Sequence, residues 1–410
     1  MPATKQEGRY AVHVLMLVAT PVATDTRVLR EARSLVTAGH RVHVVGRSVP
    51  VDFVPPEGVT VSSVGTSSAF RGEGGVSLKD RHPRRLPPHV RLARWALLPE
   101  HRRSAFGRWA AGVRGVVDGI GHVDVVHAHD FTALEVGARV ARERGVPLVY
   151  DTHELWSGRP REHRPTPLAD LHERAVEGRL GRQAAAVITV GDGVADALRE
   201  RYGWDHVSVV RNTFPSAGPA GAAAQPTPSP RELVYAGRLA AYRELETIAE
   251  ATRAPGLPLP VTLIGPADET WLAAFDAGAA RVLPPVTPEE VTQRLVDAGL
   301  VLVTHSDRWE NHRLAMPNKL FHAVRAGVPV VATDVGELAR VVRAHGVGTL
   351  YRPGDAADLA RAVREAVERY DELRAAVVAA APELGWERDE QVLLGVYRGL
   401  EPVAWEDRPR

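Results

Sequence analysis

Short runs of valine, leucine and isoleucine alternate with longer amphipathic stretches along almost the whole chain. Short, β-branched runs of this kind are typical of buried strands. Continuous apolar strands joined by helices predict parallel sheets that are covered on both faces. The predicted strands are Val12–Val18, Val42–Val45, Val123–His127, Leu148–Asp151, Ala186–Val190, Val207–Val210, Leu233–Ala236, Val261–Ile264, Leu300–Thr304 and Val328–Thr333.

A segment with few bulky apolar residues divides this pattern into two halves of similar size. Residues 213–231 read TFPSAGPAGAAAQPTPSPR, which is a linker composition. We therefore predict an α/β protein with two doubly wound, Rossmann-like domains, residues 1–212 and 232–384. Because ligands of such sheets bind beyond the carboxyl ends of the strands, the two facing domains predict a binding cleft between them.

The overall composition limits the classes of function that the protein can have. The 410 residues include 51 basic and 50 acidic ones, so the net charge gives no case for nucleic acid binding. The absence of cysteine excludes disulfides, thiolate metal ligands and a thiol nucleophile. No apolar run reaches the roughly 20 residues that span a bilayer. A strand–helix–strand pattern begins at residues 11–19, so we interpret this run as a core strand, not a signal peptide, and expect a cytoplasmic protein.

One segment is strongly basic. Residues 71–114 contain eleven basic and three acidic side chains, with aromatic residues between them. The simpler interpretation is a helix on the first domain with a solvated arginine face. The alternative is a surface for an anionic acceptor, or a peripheral contact with anionic lipid at the inner membrane face.

Lys319 is one of only three lysines in the chain and lies in the segment PNKLFHAVRAGVPVVATD. Pro317 can begin a helix, which places Lys319 in its first turn, where free N–H groups and the helix dipole attract anions. Gly327 and Pro329 end this helix before the next strand. A leftover surface lysine is the alternative, but the position favours a phosphate contact.

Polar side chains follow two neighbouring predicted strands of the first half. His127, His129 and Asp130 end one strand, and His153 and Glu154 end the next. Their spacing matches no zinc pattern, which disfavours a metal site. Two interpretations remain open: imidazoles that hydrogen-bond a ligand, and histidines with a purely structural role.

In the second half, Gly237 and Arg238 directly follow a strand, and Arg243 begins the next predicted helix. Glycine lets a ligand approach the backbone, and two guanidiniums beside a helix N-terminus suit a diphosphate. Ordinary surface arginines are the alternative. There is no Walker loop, no GxGxxG after the first strand and no GxSxG motif, which argues against ATP hydrolysis, dinucleotide redox chemistry and serine hydrolysis.

In their order and spacing, these motifs resemble the retaining GT-B glycosyltransferases of family 4. The tail WERDEQVLLGVYRGL resembles the final helix that crosses back in this fold, which assigns residues 385–410 to the first domain. The other matching segments are DTRVLREARSLVTAGHRVHVV, DVVHAHD, VPLVYDTHEL, AAVITVGDGVADALRERYG and VSVVRNTFP with a hinge at Asn212, then LVYAGRL, VTLIGPAD, PNKLFHAVRAGVPVVATDVGEL and GVGTLYRPGD.

The resemblance implies transfer of a sugar, of hexosyl type, from a UDP- or GDP-sugar, with retention of configuration and without a metal or other cofactor. It places Arg238, Arg243 and Lys319 at the diphosphate and His153 at the reaction centre. The other donor-binding residues that it implies are Gly237, Gly265, Leu283, Glu310, Leu314, Ala315, Asn318 and His322. The acceptor-side residues are Asp25, Arg27, His129, Asp130 and Glu154.

The chain departs from the family's Glu-x7-Glu motif, since Leu314 and His322 occupy the two glutamate positions. A neutral imidazole accepts one hydrogen bond, whereas a carboxylate can accept one from each of two ribose hydroxyls. Glu310 is a partial substitute for the first glutamate.

Two other functions remain open. The missing glutamates also fit a catalytically weak GT-B homologue that acts as an auxiliary subunit. A sugar-nucleotide epimerase is the third candidate, although the sequence shows no acid–base set for it. For a transferase, the acceptor is a cell-envelope glycan, a lipid-linked sugar or a small natural product.

Overall fold

The computed structural model describes residues 11–65, 88–89, 107–159, 167–216 and 227–400. Most of the basic segment 71–114, residues 217–226 of the predicted linker and the last ten residues of the predicted tail 385–410 lie outside this range. The described residues form two parallel α/β sheets of seven and six strands, as the sequence predicts.

The first sheet has the strand order β3-β2-β1-β4-β5-β6-β7, and all its strands are parallel. Residues 107–117, before β4, are also helical. The strands are β1 His13–Pro21, β2 Arg41–Arg47, β3 Val59–Val64, β4 Val125–His129, β5 Leu148–Thr152, β6 Ala186–Thr189 and β7 Val207–Val209, and the helices are α1 Thr26–Thr37, α2 Asp130–Arg144, α3 Pro167–Gln183 and α4 Asp192–Tyr202.

The second sheet has the order β10-β9-β8-β11-β12-β13 and is also parallel. Its strands are β8 Glu232–Ala236, β9 Val261–Ile264, β10 Arg281–Leu283, β11 Gly299–Val303, β12 Val330–Thr333 and β13 Gly348–Tyr351. Its helices are α5 Leu245–Arg253, α6 Glu269–Leu272, α7 Pro288–Ala298, α8 Glu310–Leu314, α9 Asn318–Arg325, α10 Gly336–His345, α11 Ala356–Glu368 and α12 Tyr370–Ala380, and a last helix, α13, spans Trp386–Arg398.

All ten predicted strands are present, with ends that differ by up to three residues. Three further strands, β3, β10 and β13, were not predicted. Each lies at an edge of its sheet. An edge strand is partly exposed, so its sequence lacks the continuous apolar run that marks a central strand. The prediction that Arg243 begins a helix is wrong. Arg243 lies in a turn, and α5 starts two residues later at Leu245.

Alternate side chains of the central strand β1 fill the cores on the two faces of the first sheet. Leu15 and Leu17 belong to one core and Val14, Met16 and Val18 to the other. Helix α13 completes the second of these cores with Trp386, Leu393 and Tyr397. None of the helices within the described ranges is both long and apolar enough to cross a membrane.

Helix α3 packs closely on Trp204 at Gly181. A Cβ atom at Gly181 would overlap the buried indole ring, with Cε2 at 2.9 Å. We predict that Gly181→Ala lowers the free energy of unfolding by about 1–3 kcal/mol, which is typical of overpacking. Gly115→Ala is the matched control because a Cβ there meets no atom within 4 Å. Urea denaturation measures both, and equal stability of the two variants would contradict the packing argument.

Candidate functional site

The strand order of each sheet reverses once, between β1 and β4 in the first and between β8 and β11 in the second. Loops leave neighbouring strands in opposite directions at such points and open a crevice beyond the strand ends. A cavity of about 360 Å³ lies between the domains at this level. Its lining includes Asp25, Arg27, His153 and Asn212 from the first domain and Ala315 and Asn318 from the second.

Asp25 lines the cavity and caps helix α1. Its carboxylate accepts hydrogen bonds from the backbone N–H of Val28 at 3.2 Å and from the hydroxyl of Thr20 at 2.8 Å. The cap holds the start of α1, and with it Arg27, against the carboxyl end of β1.

Arg27 lies at the centre of a buried ion-pair network. Its guanidinium binds both carboxylate oxygens of Asp151, at 2.9 and 2.8 Å, and donates to the carbonyl of Val210 at 2.7 Å. Glu31 Oε1 lies 3.0 Å from Arg27 Nε. All three charged side chains are at most 3% exposed. Burial alone would raise the pKa of Asp151, but Arg27 outweighs it and holds this pKa well below its usual range. For Glu31 burial dominates and raises the pKa to about 7.

The predicted histidine cluster forms beside this pair. His129 Nδ1 lies 3.2 Å from Asp151 Oδ2, and His153 Nε2 lies 3.4 Å from the same oxygen. On its other side, His153 Nδ1 faces Asp130 Oδ2 at 3.4 Å. His127 instead bonds to Tyr397 of helix α13 at 2.8 Å. His153 therefore faces the cavity, while His127 and His129 are buried beneath it.

Ligand-type atoms of Glu31, His127, His129 and Asp151 lie within 4.8 Å of one another, as in many metal sites. However, Arg27 already contacts the carboxylates of Glu31 and Asp151, and its permanent positive charge balances theirs as a metal ion would. The group is thus better described as an ion-pair network around a guanidinium.

On the second domain, the backbone segments at the ends of β8, β9 and β10 approach one another closely. Gly265 has a φ of 146°, and a Cβ there would lie 2.8 Å from the carbonyl carbon of Gly237. A Cβ on Gly237 would in turn lie 2.9 Å from Lys319 Nζ. Leu283 at the end of β10 accepts the N–H of Gly265 at 3.4 Å. Position 265 therefore requires glycine, whereas a side chain at position 237 would displace the end of Lys319.

Lys319 lies in the first turn of α9, as the sequence predicts, and its Nζ is 4.6 Å from the centre of the Tyr235 ring. Burial and the neighbouring Arg243 lower the pKa of Lys319 to about 7. Burial and Lys319 lower the pKa of His305 to about 3, so this histidine is neutral.

Within the described part of the chain, no carboxylate pairs with Lys319, Arg238 or Arg243. Many other arginines are paired, such as Arg340 with Asp192 at 2.7 Å. Arg238 is exposed and the other two are half-buried. Lys319 and Arg243 lie close enough to repel each other, and Arg238 directly follows Gly237, which approaches Lys319. These cations without a protein counter-ion define a candidate anion site.

His322 lies one turn after Lys319 on α9. Its Nε2 is 2.8 Å from the hydroxyl of Thr292, which also donates to the carbonyl of Pro288 at 2.9 Å. A hydroxyl has one hydrogen, and that of Thr292 is used in the bond to Pro288. Thr292 must therefore accept a hydrogen bond from Nε2–H of His322, so Nδ1 of the neutral ring remains an acceptor. Burial lowers the pKa of His322, which keeps the ring neutral. The ring centre is 5.4 Å from that of Phe214.

Three predicted site residues contact the opposite domain. Glu310 Oε1 accepts from Arg201 at 2.7 Å, and Glu154 Oε2 accepts from Asn311 at 2.7 Å. Leu314 approaches Gly193 of the first domain, since a Cβ on that glycine would lie 3.4 Å from Leu314 Cδ2. These side chains join the domains at the edge of the cleft.

Reasoning from the sequence missed Glu31, Asp151, Thr292 and His305 as parts of the site. Glu31 follows Arg27 by one helical turn, which is a signal for an ion pair. Asp151 ends a predicted apolar strand, and a charged residue there was a second signal. For Thr292 and His305, the sequence offers no signal, because their roles depend on contacts between distant segments.

Two family profiles match the chain. Residues 23–213 match the profile described as the glycosyl transferase 4-like domain, and residues 230–369 match glycosyl transferases group 1. Together they cover the whole second sheet, all strands of the first sheet except β1, and most of the residues around the cleft.

The relatives agree with this assignment. D-inositol 3-phosphate glycosyltransferase 1 of Catenulispora acidiphila is 31% identical over 69% of this chain and 74% of its own length. Sucrose-phosphate synthase of Thermosynechococcus elongatus has a similar fold, with a TM-score of 0.70 and 15% identity over 94% of this chain and 98% of its own. The Anabaena protein HepE, in complex with UDP-glucose, aligns with a TM-score of 0.64 and 16% identity over 95% of this chain and 100% of its own.

The two parallel sheets that face a central cleft define a GT-B glycosyltransferase fold. This chain belongs to the family 4-like glycosyltransferases, as the two profiles and the 31% identical relative show.

The Arg27 network predicts a large effect on stability. Arg27→Met leaves the buried carboxylates of Asp151 and Glu31 without their cation, and we expect a loss of about 3–5 kcal/mol of unfolding free energy. Arg33→Met, at an exposed position of the same helix, is the control. Denaturation at pH 7 measures both variants. A loss no greater than that of the control would contradict the network.

Proposed function

We propose that this protein transfers a sugar of hexosyl type from a UDP- or GDP-sugar to an acceptor hydroxyl, with retention of anomeric configuration. The observation that carries the proposal is the group of cations without protein counter-ions, Arg238, Arg243 and Lys319, at the N-terminus of α9. These groups fit a diphosphate. The name of the HepE complex, which includes UDP-glucose, supports a donor of this class.

The leaving diphosphate gains negative charge as the anomeric bond breaks. The guanidiniums of Arg238 and Arg243, the ammonium of Lys319 and the free N–H groups at the start of α9 stabilise that charge, and we propose Arg238 and Lys319 as catalytic residues with His153. Two fixed guanidiniums supply the positive charge for which other enzymes use a metal ion, so the proposed reaction needs no metal or other cofactor.

Retention requires the acceptor to attack from the face that the diphosphate leaves. In the proposed mechanism, the acceptor hydroxyl forms the new bond to the anomeric carbon as the old bond breaks. Its proton passes to the departing phosphate. The acceptor enters through the first-domain side of the cavity, past Asp25.

The remaining donor contacts follow from the geometry of the second domain. Gly237 and Gly265 leave room for the nucleotide to approach the backbone, and Leu283 borders its base. His322 offers the lone pair of Nδ1 to one ribose hydroxyl, and Asn318 and Ala315 line the sugar's side of the cavity. Glu310 and Leu314 contribute through the contact between the domains.

The acceptor class that we propose is a cell-envelope glycan, a lipid-linked sugar or a small natural product. The name of one relative, D-inositol 3-phosphate glycosyltransferase 1, includes a phosphorylated substrate, which supports an anionic acceptor. The basic segment 71–114, most of which lies outside the described residues, is the proposed contact for an anionic acceptor or membrane. Action at the inner face of the membrane follows from this proposal.

The donor assignment predicts large losses for two substitutions. We expect Arg238→Ala and Lys319→Ala each to lower the transfer rate by about 10²–10³, because each removes one contact to the developing charge. Arg294→Ala, at an exposed position of α7, is the control and retains the rate. Nucleotide release from a panel of sugar nucleotides, with and without acceptors, measures the effect.

Full transfer rates in both variants would contradict the diphosphate site. Calorimetry with UDP and GDP tests the competing function, a catalytically weak auxiliary subunit, for which His322 and Leu314 are the supporting observations. If neither nucleotide binds, the auxiliary role is favoured and the transferase proposal fails.

The lowered pKa of Lys319 predicts that nucleotide binding takes up a proton. The pKa of Lys319 is about 7 in the free protein, and a diphosphate beside it raises that pKa. At pH 8 most of the lysine is therefore neutral before binding and charged after it, so affinity falls as pH rises above 7. Calorimetry of UDP binding in buffers with different ionisation enthalpies measures the uptake. Lys319→Arg, always charged, should show none from this site, and an unchanged uptake would contradict the assignment.

A further inference from the structure

His153 lies between two carboxylates, one on each side of its ring. Nδ1 is 3.4 Å from Asp130 Oδ2, and Nε2 is 3.4 Å from Asp151 Oδ2. The backbone N–H of His153 also donates to Asp130 Oδ1 at 3.2 Å. The side chain is 21% exposed and lines the cavity between the domains. The ring thus lies at the wall of the cleft between two carboxylates, and His129 Nδ1 is also 3.4 Å from its Nε2.

An ionised carboxylate cannot donate, so a ring nitrogen that faces one must carry a hydrogen. Two carboxylates on opposite sides therefore favour the imidazolium, in which both nitrogens are protonated. Asp151 itself is held in its ionised form by the bidentate contact with Arg27. Arg27, which lines the same cavity, thus keeps Asp151 available as a carboxylate partner of His153.

Asp130 is held in an unusual backbone conformation at this position. Its φ of 63° lies in the left-handed region, although it is the first residue of α2 and is not glycine. Residues in such conformations persist where the surrounding structure enforces them, and they cluster at functional sites. Here the conformation brings the carboxylate to both the backbone N–H and the Nδ1 of His153.

The charged and titratable groups that face His153 come from three places. They are Arg27 and Glu31 of α1, the residues His127, His129 and Asp130 at the junction of β4 and α2, and Asp151 and Glu154 at the end of β5. The second-domain residues that line the cavity with it, Ala315, Met316 and Asn318, are uncharged. Arg27 balances Asp151, and a charged His153 then balances Asp130.

We propose that Asp130 and Asp151 are positioning residues that hold His153 as a fixed cation at the wall of the cleft. Both nitrogens are occupied, so the ring cannot take the proton of the acceptor and acts by its charge. That charge faces a bound anion or a group that becomes negative. The identity of this group as the donor diphosphate rests on the proposed function, whereas the charge state of the ring does not.

The electrostatics agree with the geometry. Burial acts to lower the pKa of His153, but Asp130 and Asp151 outweigh it and raise this pKa to about 9. The imidazolium therefore persists through neutral pH and is lost only as the pH rises through about 9.

The test is an NMR titration of the ¹⁵N-labelled full chain, with the His153 signal assigned by its loss in His153→Gln. We expect the wild-type ring to titrate near pH 9. Asp130→Asn removes one carboxylate but keeps the shape, and we expect the pKa to fall by about one to three units. Asp196→Asn, at an exposed aspartate that pairs with Arg199, is the control and leaves the titration unchanged. A wild-type ring that titrates near its usual 6.5, or no change in Asp130→Asn, would overturn the proposal.

Transfer rates provide a second measurement that a merely structural role would not change. At saturating donor, the kcat of Asp130→Asn should fall between pH 6 and pH 8 much more than that of the wild type, because His153 loses its charge over this range only in the variant. His153→Gln should have a low kcat at both values. The titration of Lys319 changes the affinity for the donor and therefore KM. It occurs in all the variants, so it does not affect the comparison of their kcat values. An Asp130→Asn rate that is equally low at pH 6 and pH 8 would contradict the role of the charge.

The two proposals fail separately. If His153 titrates near pH 9 but no sugar nucleotide supports transfer, the cation at the cleft stands and the proposed reaction fails. If transfer occurs but His153 titrates near 6.5, the reaction stands and the charge assignment fails.

Discussion

The buried contact between Arg27 and Asp151 is the interaction on which the first-domain side of the cleft depends. It joins the start of helix α1 to the end of strand β5, and it places two charges where each would be unstable alone. His129 and His153 are arranged around the same carboxylate. An ion pair of this kind contributes little net stability, but it fixes geometry, because any displacement leaves a buried charge without its partner.

The two domains use charge in opposite ways. On the first domain, the cations Arg27 and His153 at the cleft have carboxylate partners within the protein, and the network around them is largely buried. On the second, Arg238, Arg243 and Lys319 lack such partners among the described residues, and glycines leave the backbone open beside them. One wall is thus complete in the absence of a ligand, whereas the other has the unpaired cations that, in the proposed function, bind the donor's diphosphate.

The sequence predicted the central strands, the two-sheet division and the position of Lys319, because these follow from local apolar runs and helix-ending residues. It did not predict the edge strands or the partners of His322 and Glu310. Those contacts depend on how segments far apart in the chain meet: Thr292 reaches His322 from a neighbouring helix, and Arg201 reaches Glu310 from the other domain. Periodicity within a segment carries no information about such pairs.

Helix α13 has a consequence for the order of folding during synthesis. Trp386, Leu393 and Tyr397 complete a core of the first domain, and Tyr397 bonds to His127, which precedes it by 270 residues. Domains generally fold as they leave the ribosome, the N-terminal one first. Here the first domain lacks part of its core until the second has been made. The histidine strand of the cleft therefore gains its last partner only after the opposite wall already exists.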